Sequence, residues 1–190
     1  MKYLILPGFS EKNKQWAHEL RDGLESHEIN SAVIEWEHWR SKEESDFDFK
    51  REGEKVIKEI DNSEVGIIAK SVGSILTTRL LKSIPQRIIK IVLMGIPLNS
   101  LTEADRENFS VLKNFPAENI LVFQNSQDPY GSFKEVRKFI EEINKKIKVV
   151  VLLREDHKYF VNQTLLDFLK EEQILFSCSF ISFPCRKNFF

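Results

Sequence analysis

The sequence predicts one α/β domain, a three-layer α/β/α sandwich around a six-stranded, mostly parallel sheet. Two observations carry that expectation. Short apolar runs alternate with stretches of helical periodicity along the whole chain, the pattern of a parallel sheet covered by helices on both faces. Among those runs, Val65-Gly66-Ile67-Ile68-Ala69 is continuously apolar, as a strand buried on both faces must be. A length of 190 residues suffices for one such domain and leaves little room for a second.

The first strand is expected at about Lys2 to Leu6. Pro7-Gly8-Phe9-Ser10 then turns into a helix with Trp16, Leu20 and Leu24 on one face and Ser10 as its N-cap. A second strand covers about Ser31 to Trp36. A loop with Glu43, Glu44, Asp46 and Asp48 reads as solvated and leads to a helix that turns Phe49, Val56 and Ile60 inward. The third strand ends at Ser71, and Val72, Ile75, Leu76 and Leu80 share one face of the next helix. The fourth strand is Ile88 to Met94, after which Ser100-Leu101-Thr102-Glu103 has the form of a capping box opening a short helix. The fifth is Ile120 to Gln124. Gly131-Ser132-Phe133-Lys134-Glu135 supplies a turn and a second capping box before a helix with Val136, Phe139, Ile140 and Ile143 apolar. The sixth strand is Ile147 to Leu153, and the last helix covers about Phe160 to Glu172. The domain is thus expected at 1–173. Residues 174–190 read as an apolar tail without helical periodicity, shorter than the ~20 residues that span a bilayer.

Charge and composition remove several function classes. With 28 basic and 29 acidic residues the formal charge is −1, so the chain has no electrostatic footprint for nucleic acid or an anionic membrane. Met1 to Gly8 is too short an apolar run for a signal peptide, and a cytoplasmic protein is expected. Cys178 and Cys185 do not stand in a metal-ligand spacing and do not indicate a disulfide framework. Zinc-protease, P-loop and dinucleotide motifs do not occur, so neither a metal nor a cofactor is expected. The oligomeric state is open.

The chemistry gathers at Ala69-Lys70-Ser71-Val72-Gly73. A sharp strand-to-helix turn lets a serine project its hydroxyl above the sheet edge, while the small residues at 69 and 73 let the backbones cross. Lys70 reads as a solvent-side residue of that turn. The pattern resembles the nucleophile elbow of the α/β-hydrolase family, with Ala69 where glycine is usual. A serine that merely caps a helix fits these five residues too.

A serine hydroxyl needs a base within hydrogen-bond reach and a third group that orients the base. Asp128 follows the fifth strand and His157 the sixth, at the carboxyl ends where sites gather in open parallel sheets. The order Ser71, Asp128, His157 is the one the α/β-hydrolases use. Separately, Asp128 ahead of Pro129 also fits a turn former and His157 a surface residue. Asp128 is expected to orient His157 in preference to the adjacent Asp156, because neighbouring side chains in an extended loop point in opposite directions. The resemblance further implies an oxyanion hole, with backbone N–H groups at Val72 and in the loop after the first strand. Pro7 has no N–H to give, which leaves Phe9. The family's histidine is missing from this loop, so what anchors it is open.

Just past the second strand, Trp36, His38 and Trp39 fit either the wall of a substrate site or ordinary packing over the sheet end. The stretch between Pro97 and Ile120 is too short for the helical cap that many α/β-hydrolases insert there. Taken together, the resemblance implies a small lidless serine hydrolase, carboxylesterase-like, acting on a small-molecule acyl substrate through an acyl-enzyme. Two alternatives stay open: a non-catalytic binding module on the same fold, and a flavodoxin-like protein that uses the Gly8 turn for a nucleotide phosphate.

Overall fold

The computed structural model describes residues 1–40 and 47–177. Strands β1 (Lys2–Leu6), β2 (Ser31–Val33), β3 (Val65–Lys70), β4 (Ile88–Met94), β5 (Ile120–Asn125) and β6 (Lys148–Leu152) alternate with helices α1 (Lys12–Glu25), α2 (Phe49–Ile60), α3 (Val72–Ser83), α4 (Glu103–Phe109), α5 (Phe133–Ile143) and α6 (Gln163–Ser177). The strands form one sheet in the order β2-β1-β3-β4-β5-β6, and every pair is parallel.

Strand alternation divides the core in two. Leu4 and Leu6, Ile67 and Ala69, Ile91 and Leu93 face the layer built from Val56 and Ile60 of α2, Ile75, Leu76 and Leu80 of α3, Phe109 of α4 and Val136 and Ile140 of α5. Tyr3 and Ile5, Ile68, Val92 and Met94 face the other layer, where α1 contributes Trp16, Leu20 and Leu24 and α6 contributes Leu165 and Leu169. The periodicity of the apolar residues therefore places each helix on the correct side of the sheet.

Several boundaries move. β2 ends at Val33 instead of Trp36, because after Ile34 donates to the Ile5 carbonyl the chain leaves the sheet and turns the Trp36 ring inward. Ser10 is not the N-cap of α1: Glu11 holds that position without a side-chain bond, while Ser10 Oγ accepts from Lys12 N–H at 3.4 Å. Asp48 caps α2 by accepting from the Lys50 and Arg51 amides. Glu43, Glu44, Asp46, Cys178 and Cys185 lie outside the described residues. The first capping box closes on Thr102 and Asp105, two residues beyond the expected register, since Thr102 is the residue with extended backbone ahead of the helix. The box at Ser132 and Glu135 forms as expected. α6 starts at Gln163 and continues to Ser177, past Glu172 and into the stretch read as a tail.

β1 is the strand from which the chain departs in both directions, to β2 on one side and β3 on the other. At such a switch point the loops beyond the two strands diverge and open a crevice. Its floor is tight: a Cβ at Gly73 would sit 2.3 Å from the Leu6 carbonyl oxygen, so the first turn of α3 rests on the backbone at the end of β1. Gly73→Ala places that Cβ against a backbone atom that no rotamer change can move. We expect the variant to lose at least ~3 kcal/mol of stability, the upper range for overpacking, in urea denaturation; an unchanged midpoint would show that α3 can shift freely off β1.

Candidate active site

Ser71 joins β3 to α3 with φ 54° and ψ −119°. A non-glycine residue held there stores strain of order 1–3 kcal/mol, which persists only where the surroundings enforce it. They do so through two backbone bonds: Ser71 N–H donates to the Met94 carbonyl at 3.1 Å, and the Ser71 carbonyl accepts from Ser74 N–H at 2.9 Å. Although Ser71 occupies the cap position of α3, its side chain makes no cap hydrogen bond. The hydroxyl is therefore not spent on the helix, as a simple capping serine would be.

Asp128 and His157 meet across the ends of β5 and β6. Asp128, 4% exposed, accepts from His157 Nδ1 at 2.7 Å and from the Tyr159 hydroxyl at 2.6 Å through Oδ2, and from the Tyr130 amide at 2.9 Å through Oδ1. Asp156 is engaged elsewhere, with the Arg154 guanidinium, the Asn125 amide group and the Lys158 N–H. Of the two aspartates, Asp128 is the one that orients the imidazole. Burial and the bond to Asp128 hold the Tyr159 phenol well above its ordinary pKa, so it stays a donor; its oxygen in turn accepts from Asn125 N–H at 3.1 Å.

The imidazole is wedged between Tyr130, with ring centroids 4.8 Å apart, and Tyr159, 5.8 Å away. It lies over Gly95, where a Cβ would come within 2.6 Å of His157 Cε1. Gly95 follows Met94, the residue whose carbonyl holds the Ser71 amide, so His157 and Ser71 are neighbours at the ends of β3 and β4. His157 Nε2 is buried without a hydrogen-bond partner. Nε2 and Ser71 Oγ share no hydrogen bond in this arrangement; catalytic bonds of this kind are often long until substrate tightens them.

The loop after β1 lies on the other side of Ser71, and three rings hold it. Trp36 Nε1 donates to the Pro7 and Gly8 carbonyls at 3.2 and 3.3 Å, and His38 Nε2 and Trp39 Nε1 both bond the Phe9 carbonyl at 2.8 Å. Trp36 is fully buried, which favours packing of the two readings open for it; the three rings anchor the loop in place of a histidine within it. Phe9 stacks on His38 at 4.8 Å. The Phe9 and Val72 amides enter no hydrogen bond among the described residues. Gly8 does not have positive φ; a Cβ there would meet the Asn13 side chain at 2.9 Å, so it serves close approach instead of a tight turn.

An open groove of about 1100 Å³ runs between the start of α1 and the loop carrying His157, bordered by Asn13, Trp16, Lys70, Tyr130, His157 and Lys158. The expectation that Lys70 faces solvent is wrong. It is 5% exposed, because alternation along β3 turns position 70 toward α1, the face shared with Ile68. Its ammonium donates to Asn13 Oδ1 at 2.7 Å and lies 4.9 Å from the Trp16 ring centroid. Tyr159 and Lys70 are the site residues that sequence reasoning missed. Period two was the signal for Lys70, two residues after Ile68 in a strand; Tyr159, in the irregular loop after β6, carried no local signal. Among the described residues no group of side chains has the makings of a metal site, and no helix is long and apolar enough to cross a membrane.

No protein-family model matches the chain, and no curated protein matches it significantly. Solved structures do. A monoacylglycerol lipase from Paleococcus ferrophilus superposes with a TM-score of 0.60 at 13% identity, over 94% of this chain and 94% of that one. A serine hydrolase without a lid from Xanthomonas campestris gives 0.60 at 14% identity, over 96% and 84%. Est1E from Butyrivibrio proteoclasticus, solved with ferulic acid bound, gives 0.62 at 13% identity, over 92% and 88%. At such identities the likeness concerns architecture alone, the parallel six-stranded sheet with helices on both faces: the chain has the α/β-hydrolase fold.

Proposed function

We propose that this chain is a serine hydrolase that cleaves a small ester-like acyl substrate through an acyl-enzyme. The observation that carries the reading is the 2.7 Å bond from His157 Nδ1 to a buried carboxylate, which leaves the unbonded Nε2 as the only ring nitrogen free to accept a proton beside Ser71. Ser71 Oγ attacks the carbonyl carbon while Nε2 takes its proton. Asp128 fixes the tautomer and stabilises the imidazolium. The oxyanion is met by the Phe9 and Val72 amides, the second at the positive end of α3. The imidazolium then returns the proton to the leaving oxygen, and water repeats the sequence to free the acid. The hydrolase structures named above lend support at the level of fold. The Gly8 turn is packed by Asn13 and fixed through its carbonyls, which speaks against the phosphate cradle of the nucleotide reading.

Ser71 should take a fluorophosphonate label and hydrolyse short p-nitrophenyl esters. Ser71→Ala removes both, with turnover down roughly 10⁴–10⁶-fold and the melting temperature nearly unchanged. Asp128→Asn lowers kcat by orders of magnitude at neutral pH, whereas Asp156→Asn spares it. Failure of the wild-type protein to label would leave the non-catalytic binding module as the reading.

The ring clamp makes a separate prediction. Trp39→Phe keeps the packing and removes one donor to the Phe9 carbonyl, so the loop loosens where charge develops only in the transition state. We expect kcat to fall up to about 10²-fold, less than outright loss of an oxyanion donor, with KM little changed. A rise in KM at constant kcat would return Trp39 to the substrate wall.

A further inference from the structure

Lys70 is a cation that the fold leaves undercompensated. Its side chain is buried, yet none of the ion pairs among the described residues includes it, and its ammonium has one acceptor, Asn13 Oδ1, for three donors. Burying a charge without a carboxylate is costly, and a methionine would pack against Trp16 at no such cost. Lys70 borders the groove along with His157, and the exposed Lys158 lines it too. The Asp128 and Asp156 carboxylates attract the Lys70 ammonium only through space and neither bonds it: Asp128 accepts from His157, Tyr159 and the Tyr130 amide, and Asp156 from Arg154 and Asn125.

We propose that Lys70, with Lys158 beside it, forms a carboxylate subsite, and that the substrate is an ester whose acyl chain ends in a carboxylate, a half-ester of a short dicarboxylic acid. This rests on the hydrolase reading above. Lys70 and His157 line the same groove, so a carboxylate held on the ammonium lies in the space that the imidazole borders. The acyl side is favoured because the acyl chain stays on Ser71 after the alcohol departs, which keeps the ammonium compensated through both half-reactions. Removing the alcohol as R–OH and adding water across the acyl bond yields the dicarboxylate and one proton.

Burial draws the Lys70 pKa down from its ordinary value to about 8, against the opposing pull of Asp128 and Asp156 and with a smaller push from Lys158. The ammonium is therefore present below pH 8 and lost above it, and the subsite should fade over that range. The readout is a ratio of two substrates at each pH, from which effects common to both substrates cancel.

The test compares mono-p-nitrophenyl glutarate with p-nitrophenyl valerate. In the wild-type protein kcat/KM for the glutarate half-ester should exceed that for valerate tenfold or more at pH 7. The ratio should fall toward one by pH 9.5, and Lys70→Met should bring it close to one at every pH. Free glutarate should raise the melting temperature of wild-type protein and not of Lys70→Met, which reads the subsite without turnover. Hydrolysis of both esters with no preference for charge, or a preference that survives Lys70→Met, overturns the subsite while the hydrolase reading stands. Stabilisation by glutarate with no hydrolysis of either ester overturns the hydrolase reading while the subsite stands.

Discussion

The site depends on the parallel pairing of β1 with β3 and on how closely their continuations cross. Leu6 pairs with Ala69, and two residues beyond Lys70 and Ser71 the chain has already turned back so that Gly73 rests on the Leu6 carbonyl. That contact sets two things at once. It brings the Phe9 loop beside the first turn of α3, and it forces Ser71 into a backbone conformation that serine would not choose. Everything with a chemical role is then arranged around a fixed point. Two backbone bonds at Ser71 and three ring donors on the loop keep the point rigid without drawing on the groups that would meet a substrate.

A second constraint operates across β5 and β6. The Asp128 carboxylate is removed from water, which is tolerable only because three donors converge on it. Removing one partner from such a group is strongly destabilising, so the network is structural as well as chemical. It also settles which histidine nitrogen holds the proton. Tyr159 takes part twice, as donor to Asp128 and as acceptor for the last amide of β5, and so ties the loop after β6 to the neighbouring strand. Lys70 presents the opposite case: a buried charge with one neutral acceptor, placed at the groove.

The polar contacts that matter for the site are those that join elements far apart in sequence. Asn13 at the start of α1 fills the space beside Gly8, donates to the Ser10 carbonyl and accepts from Lys70. Trp16, one turn later, lies beneath the Lys70 ammonium and donates to the Tyr159 carbonyl. One helix end thus touches the loop after β1, the end of β3 and the loop that carries His157. The groove lies in the space these contacts define.

By itself the sequence determined the architecture and the identity of the triad candidates. Apolar runs of strand length, helical periodicity and the capping boxes are local signals, readable because each reports the hydrogen bonding or burial of the residues that carry it. Ser71, Asp128 and His157 were legible because in a parallel sheet the residue after each strand lies at one common edge. Their mutual geometry was not, nor was the fate of the residues around them. Trp36, His38 and Trp39 read equally well as substrate wall or packing until the end of β2 turned them onto the carbonyls of the β1 loop. Lys70 read as solvated because lysine usually is, and only the position of α1 over β3 buries it. Tyr159 showed no sign of its bond to a carboxylate 31 residues earlier. In each case the deciding partner is remote in the chain, and no local pattern of side chains encodes which polar group a buried donor will meet.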